Sequence, residues 1–282
     1  MHPSSSRTVA AEPSETQRRN VGLIQMNCRL GDRAANLAKA ERHLQRLAGR
    51  TGLACLPEMF DLGYDLPTLG PSIFDLAEVV PGPTTERLGT FARRFDLAIV
   101  AGVTERDSNV TGLLFDSTVI IGRDGALHSR YRKSHLYPDE HRVFRPGHAL
   151  PVVEVDGLRL GVAICFELAF PPIFSTLARR GAQLVLNPSA VPTGYGHLQD
   201  VRTRARAQDN QIFVAAVNHV GREGDVSYCG GTQLADPRGD LLAKATDHEE
   251  EVLVVDLPLE RIDEQRRQEP VFRGMRSEQY ES

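Results

Sequence analysis

Apolar and polar positions along the chain fall into blocks of two periods, and those blocks predict the elements in order. Val21 to Cys28 (VGLIQMNC) reads as a first strand. From Asn36 to about Arg50, Leu37, Ala40, Leu44 and Leu47 recur on one helical face while charges fill the other. GLACLPEMF is a short strand running into Pro57-Glu58, GPTTERLGTFARRF a helix capped by Thr84 or Thr85, and DLAIVAGVTE a third strand. LLFDSTVIIGRDGALHSRYRKSHL predicts a hairpin turned at Arg123-Asp124-Gly125, followed by the irregular loop YPDEHRVFRPGH. LPVVEV and LRLGVAIC form a second strand pair turned at Asp156-Gly157, and the second of these delivers Cys165 to its end. Pro171 and Pro172 then suit the first turn of a helix through IFSTLARRG, with Gly181 as its C-cap. AQLVLNPSA is a strand, HLQDVRTRARAQDN a helix and IFVAAVNHVG a strand. YCGGTQLADPRGDLLAKA is a hairpin turned at Asp236 to Gly239, and EVLVVDL is the final strand.

Strands outnumber helices, and the helices come between strand pairs, a pattern that fits a layered α/β sandwich better than a doubly wound sheet or a barrel. No linker divides the chain, so a single domain over residues 20–259 is expected. Residues 1–19, rich in Ser, Pro and charge with no apolar stretch, read as a disordered leader and not as a secretory signal. Residues 260–282, rich in Arg, Gln and Glu, read as a tail lying over the surface or a partner subunit.

Composition narrows the function classes. A hydrophobic content of 41% is that of an ordinary globular protein, and a net charge of −4 points to neither a nucleic-acid nor an anionic-membrane partner. No apolar run approaches the roughly 20 residues of a membrane span. The four cysteines, Cys28, Cys55, Cys165 and Cys229, are scattered without CxxC pairing. That argues against a zinc site or a disulfide framework and fits a reduced, cytoplasmic setting. His141 with His148 is too little for a metal site, and GGTQ lacks the strand and helix that a nucleotide-binding glycine motif needs.

Three residues stand where chemistry is expected. Cys165 ends a buried strand facing a helix start, where thiolate is favoured. Glu58 follows a buried strand and a proline, so desolvation should raise its pKa into the range of a general acid or base. Lys133 ends an alternating strand, and an ammonium beside a thiol would depress the thiol pKa and hold a developing oxyanion. Taken singly, each has a plainer reading: a core thiol, a loop cap, a surface lysine. Together, a buried-type Glu, Lys and Cys at strand ends form a coherent set for nucleophilic catalysis.

At these residues the sequence resembles the nitrilase superfamily of carbon–nitrogen hydrolases. LPEMF is similar to the family's glutamate motif, YRKSHL to its lysine motif and GVAICFE to its cysteine motif. GAQLVLNPSA, RARAQDN and AAVNHVG resemble further family segments in the same order, so the likeness runs from Val21 to Leu257. It implies a four-layer α-β-β-α sandwich that pairs into homodimers or larger assemblies, with neither metal nor organic cofactor. It also implies Glu58 as general base, Lys133 as oxyanion stabiliser and Cys165 as nucleophile. Glu140 would orient Lys133 or the substrate, and the Phe166 N–H would join the oxyanion hole. Tyr64, Asn187, Ala190 and the Val191–Tyr195 loop, Tyr195 included, would lie around the pocket.

The second half is similar to a branch of amidases acting on small amino-acid amides. The chain departs from the family at Glu167, Ala169 and Pro172, and it has Asp116 and Asp209 where Asn and Glu are common. The leading expectation is therefore a small-molecule amidase. An N-carbamoyl amine or amino-acid hydrolase is the alternative, a nitrile hydrolase stands behind it, and a non-catalytic binding or regulatory member of the fold is the reading from a different class. His135, His197 and His219 lie near the motifs, and His135 and His219 read as ordinary polar positions near strand ends.

Overall fold

The computed structural model describes residues 19–279. The leader expected over residues 1–19 lies outside the described residues except for Arg19, which opens the first strand. In chain order the elements begin β1 (Arg19–Gln25), α1 (Arg33–Leu47), β2 (Leu53–Cys55), α2 (Leu66–Leu69), α3 (Ser72–Leu76) and α4 (Pro83–Phe95). There follow β3 (Ala98–Arg106), β4 (Leu114–Ile121), β5 (Leu127–Arg132), β6 (Val152–Val155), β7 (Leu158–Val162) and α5 (Pro171–Arg179). The chain continues through β8 (Leu184–Ser189), α6 (Gly196–Asn210), β9 (Phe213–Asn218), β10 (Val220–Glu223) and β11 (Val226–Cys229). It continues with β12 (Gln233–Ala235), β13 (Leu241–Lys244), β14 (Glu251–Leu257), α7 (Glu260–Gln268) and the short α8 (Val271–Gly274).

Two six-stranded sheets result, ordered β14-β1-β2-β3-β4-β5 and β13-β12-β9-β8-β7-β6. In each, the three inner strands that carry crossovers are parallel, β1-β2-β3 in one and β7-β8-β9 in the other, and hairpins extend the edges. The period-2 pattern decides which faces meet. Val21, Leu23, Cys55 and Val100 from the first sheet pack on Leu160, Val162, Leu186 and Ala215 from the second in one inter-sheet core. The alternate residues Ile24, Ala54, Ile99 and Ala101 face Leu44 and Leu47 of α1 and Leu88 and Phe91 of α4. On the far side Val185 and Val214 face Phe174 and Leu177 of α5 and Ala207 of α6. The layers are therefore helix, sheet, sheet, helix, in one domain.

Four local features differ from the sequence reading. Pro83 occupies the first turn of α4, so the helix starts earlier than a Thr84 or Thr85 cap implies. Thr85 then lies inside the first turn, where its hydroxyl accepts from the Gly82 N–H at 2.8 Å. Residues 220–229 form a separate two-stranded hairpin, β10-β11, that the apolar pattern did not announce. Cys165, expected at the end of its strand, lies past β7 and opens a turn of 3-10 helix, while α5 starts at Pro171 as expected. In the segment expected to be a surface tail, Ile262 on α7 packs into the inter-sheet core at 5% exposure, because it follows Leu257 and Leu259 down onto the same apolar floor.

Candidate active site

Each expected site residue follows the C-terminal end of a strand, Glu58 after β2, Lys133 after β5 and Cys165 after β7. The backbone at Glu58 lies against β3 so closely that a Cβ on Gly102 would stand 2.5 Å from the Glu58 Cα, which restricts that position to glycine. Lys133 Nζ donates to Glu58 Oε1 at 2.7 Å and to Glu140 Oε1 at 2.6 Å, and Asp116 Oδ2 lies 3.1 Å away. All four side chains are 0% exposed. Glu140, in a 3-10 turn over Pro138–Arg142, also accepts from the Tyr64 hydroxyl and from the Tyr137 N–H at 2.7 Å.

Three carboxylates thus share one ammonium. Burial opposes a charge on Lys133, but Glu140, Glu58 and Asp116 outweigh it and hold the amine firmly protonated. For Asp116 the balance goes the other way. Burial, together with repulsion from Glu58 and Glu140, exceeds the pull of Lys133 and pushes its pKa well above the usual carboxylate range. Both Asp116 oxygens and Glu58 Oε2 lack a hydrogen-bond partner. A proton on Asp116 directed at Glu58 satisfies both groups.

Cys165 is half-buried and sits at φ +43°, in the left-handed region that non-glycine residues enter only when their surroundings hold them there, at a cost of about 1–3 kcal/mol. The surroundings can be named. Asn187 donates to the Ala163 carbonyl at 2.8 Å and to the Cys165 carbonyl at 3.4 Å, and its own oxygen accepts from Ser189 Oγ at 2.7 Å. Glu167, fully buried, accepts from the Ile164 N–H at 2.6 Å, the Ser134 N–H at 2.8 Å, Ser134 Oγ at 2.6 Å and the Tyr131 hydroxyl at 2.7 Å. Burial works against its charge, yet these donors and His135 hold Glu167 below the usual carboxylate range. This departure from the family pattern therefore ties the Cys165 turn to the Lys133 loop across the two sheets.

The thiol corrects one expectation. Burial and Glu58 raise its pKa, Lys133 and the Ala190 backbone lower it, and the net result lies well above the ordinary thiol range. Lys133 pulls toward the thiolate but does not overcome burial and the Glu58 charge. A neutral thiol with a carboxylate at hand needs that carboxylate to take its proton as it attacks.

Beside Cys165 opens a largely apolar cavity of about 190 Å³, lined among others by Tyr64, Tyr137, Phe166, Ala190, Tyr195 and Arg202. Tyr64, Ala190 and Tyr195 thus line it as expected from the sequence. Asn187 does not; it is buried beneath, holding the turn. Phe166 is the second residue of the 3-10 turn, where an N–H has no partner within the turn, and its ring meets that of Tyr137 edge-on at 5.2 Å.

His219, expected to be an ordinary polar position, is 0% exposed. Its Nδ1 lies 2.6 Å from Glu223 Oε1, and its Nε2 lies 2.5 Å from the Glu58 carbonyl oxygen. Glu223, on the unanticipated β10-β11 hairpin, also accepts from the Cys28 N–H at 2.7 Å and the Tyr64 N–H at 3.2 Å. His219 and Glu223 are four positions apart, but the Cys28 and Tyr64 amides that complete the cluster lie 195 and 159 positions from Glu223.

Two groups bring possible metal ligands together, Glu58 with Asp116 and Glu140, and Cys28 with His219 and Glu223. Neither suits a cation. The first already encloses the Lys133 ammonium. In the second both imidazole nitrogens already face protein oxygens at hydrogen-bond distance. Among the described residues no helix is long and apolar enough to cross a membrane.

Comparison with known proteins follows the geometry. A sequence model described as carbon-nitrogen hydrolase matches residues 20–267. The (R)-stereoselective amidase of a Pseudomonas species is 33% identical over 248 residues, 88% of each chain. Omega-amidase NIT2 of Homo sapiens is 32% identical over 81% of this chain and 84% of its own. Among solved structures, a carbon-nitrogen hydrolase from Helicobacter pylori G27 superposes with a TM-score of 0.87 at 26% identity, covering 94% of this chain and 97% of that one. A cysteine-to-alanine mutant of the Nesterenkonia AN1 amidase superposes with a TM-score of 0.78 at 28% identity, over 91% and 97%.

Proposed function

The chain belongs to the carbon–nitrogen hydrolase family, and from that premise we propose that it is an amidase hydrolysing a small amide to a carboxylate and ammonia through a thioester on Cys165. The observation that carries the reading is the buried junction of Glu58, Lys133 and Glu140 beside a half-buried thiol at the mouth of an apolar cavity.

In this reading Glu58 takes the thiol proton as Sγ attacks the amide carbon. The oxygen that becomes negative is held by Lys133 Nζ and the free N–H of Phe166. Glu58 returns its proton to the leaving nitrogen, the C–N bond breaks and ammonia departs. Water then enters, Glu58 removes its proton, and hydroxide addition followed by loss of the thiol releases the acid. Glu140 positions Lys133 and Tyr64, and the cavity beside Phe166 and Ala190 receives the acyl group. Pairing into a homodimer across the helix layer and residence in the cytoplasm belong to the same proposal; light scattering and cell fractionation test them.

Ammonia release from small amides, amino-acid amides, carbamoyl amines and nitriles, with Cys165→Ala alongside, tests the chemistry. Cysteine-dependent ammonia from the amides supports the reading, and carbon dioxide released with it selects the carbamoyl alternative. No ammonia from any of the four classes refutes it and favours a binding role.

A further inference from the structure

A second buried cluster stands behind Glu58 and takes no part in the reaction just described. We infer that His219 is a positioning residue for Glu58: held by Glu223, it carries a proton on each ring nitrogen and fixes the Glu58 peptide carbonyl, and with it the carboxylate beside Cys165. The inference rests on the reading of Glu58 as the group that moves protons.

The proton count follows from the partners. Glu223 Oε1 faces two groups, the Cys28 main-chain N–H at 2.7 Å and His219 Nδ1 at 2.6 Å. The Cys28 N–H only donates, so Oε1 accepts from it, and an ionised Glu223, which can only accept, requires a hydrogen on Nδ1. His219 Nε2 faces the Glu58 carbonyl, which only accepts, so a hydrogen is required there as well. Glu223 Oε2 accepts from the Tyr64 N–H at 3.2 Å, so both oxygens accept main-chain N–H groups, as an ionised carboxylate does. The titratable groups around the ring are Glu223 on β10, Cys28 after β1, Glu58 after β2 and Tyr228 on β11, whose ring centroid lies 5.2 Å from that of His219. Burial opposes a cation on the ring, but Glu223 and Cys28 together outweigh it and raise the His219 pKa well above its ordinary value.

The reason Glu58 needs such a partner lies in its backbone. On one side Gly102 N–H donates to the Pro57 carbonyl at 3.1 Å, and on the other Phe60 N–H donates to the Gly102 carbonyl at 3.0 Å. The Glu58 carbonyl between them is held by His219, and the next residue, Met59, is kept at φ +43°. Without the His219 donor that peptide is free to rotate, and rotation about it carries the Glu58 carboxylate away from Lys133 and the thiol.

Histidine labelled with nitrogen-15 in the wild-type protein gives the first readout. A ring that keeps both nitrogens protonated from about pH 6 to about pH 8.5 is expected, and loss of a proton from every ring by about pH 8 overturns the inference. The second readout is kinetic, with ammonia release counted per alkylatable Cys165. His219→Phe removes the donors and is expected to lower kcat by up to about a hundredfold, with KM within about twofold. His219→Gln, whose amide nitrogen can donate to the Glu58 carbonyl, is expected to recover part of that loss. Equal kcat per thiol in all three proteins, a loss confined to KM, or a glutamine as inactive as the phenylalanine overturns it. If neither variant folds, the ring spectrum decides alone. Ammonia release that survives Cys165→Ala refutes the proposed function instead, and the ring spectrum then decides whether His219 still holds the Glu58 carbonyl.

Discussion

Two buried acid–base clusters meet at Glu58 and solve opposite problems. The cluster of Glu58, Asp116, Glu140 and Lys133 holds more acid than base and leaves three carboxylate oxygens without partners. The cluster of His219, Glu223 and Cys28 matches one acid with one base, and both glutamate oxygens accept hydrogen bonds. Both are buried, and the first is linked to the cavity wall through the Tyr64 hydroxyl, which donates to Glu140. The difference teaches where a proton can move. A fully partnered network holds its shape, whereas a network short of hydrogens has somewhere to put one.

Breaking each cluster in turn sharpens that contrast, beginning with the largest effect. Glu58→Gln is expected to lower kcat by roughly a hundred- to ten-thousand-fold while leaving the thermal midpoint at or above that of wild type. A variant that keeps its turnover removes Glu58 from the chemistry. Glu223→Leu should do the reverse of a catalytic change: it strands the His219 cation and costs roughly 3–5 kcal/mol of stability in denaturant unfolding. An unchanged midpoint would mean that the ring is neutral after all.

Glu167→Ala leaves several buried donors unpaired and should cost about 1–3 kcal/mol for each that finds no water, measured in the same way. Its effect on kcat should exceed that of an equally destabilising core substitution, because it frees the Cys165 turn. The smallest effect belongs to Asp116→Asn. A carboxyl whose pKa is raised on folding contributes its stability below its unfolded value of 3.8 and loses it as pH rises toward the folded value. Asparagine never ionises, so the variant's thermal midpoint should gain on wild type between about pH 4 and about pH 7. A difference that stays constant with pH would place Asp116 in the ionised form throughout.

The layers and the first cluster were legible in the sequence, the second was not, and the physical reason is range. Leu37, Ala40, Leu44 and Leu47 advertise a helix face within one stretch, and the sheet faces follow from strict alternation. Glu58, Lys133 and Cys165 were found because each sits in a short motif with its own local context. Glu223 sits four positions from His219 but in no recognised motif, and its other partners Cys28 and Tyr64 lie 195 and 159 positions away. Asn187 was assigned to the right neighbourhood and the wrong side of it, since the motif shows that it is near the cysteine and not which way its amide points. The thiol's state was misjudged because counting one cation near it left out burial and the Glu58 charge, which together outweigh that cation. Glu167 was noticed only as a departure, and its five-way anchoring role needed the Lys133 loop brought alongside.

The cavity wall has a further consequence for how this chain can diverge. The buried cluster of Glu58, Asp116, Lys133 and Glu140 comes from the first half of the chain, while the cavity wall takes Tyr64 and Tyr137 from the first half and Phe166, Ala190, Tyr195 and Arg202 from the second. Glu167 and Tyr64 are the seams between them. Drift in the second half can reshape the receptacle without disturbing the acid junction. Such a chain can change what it accepts by small inherited steps and keep how it reacts.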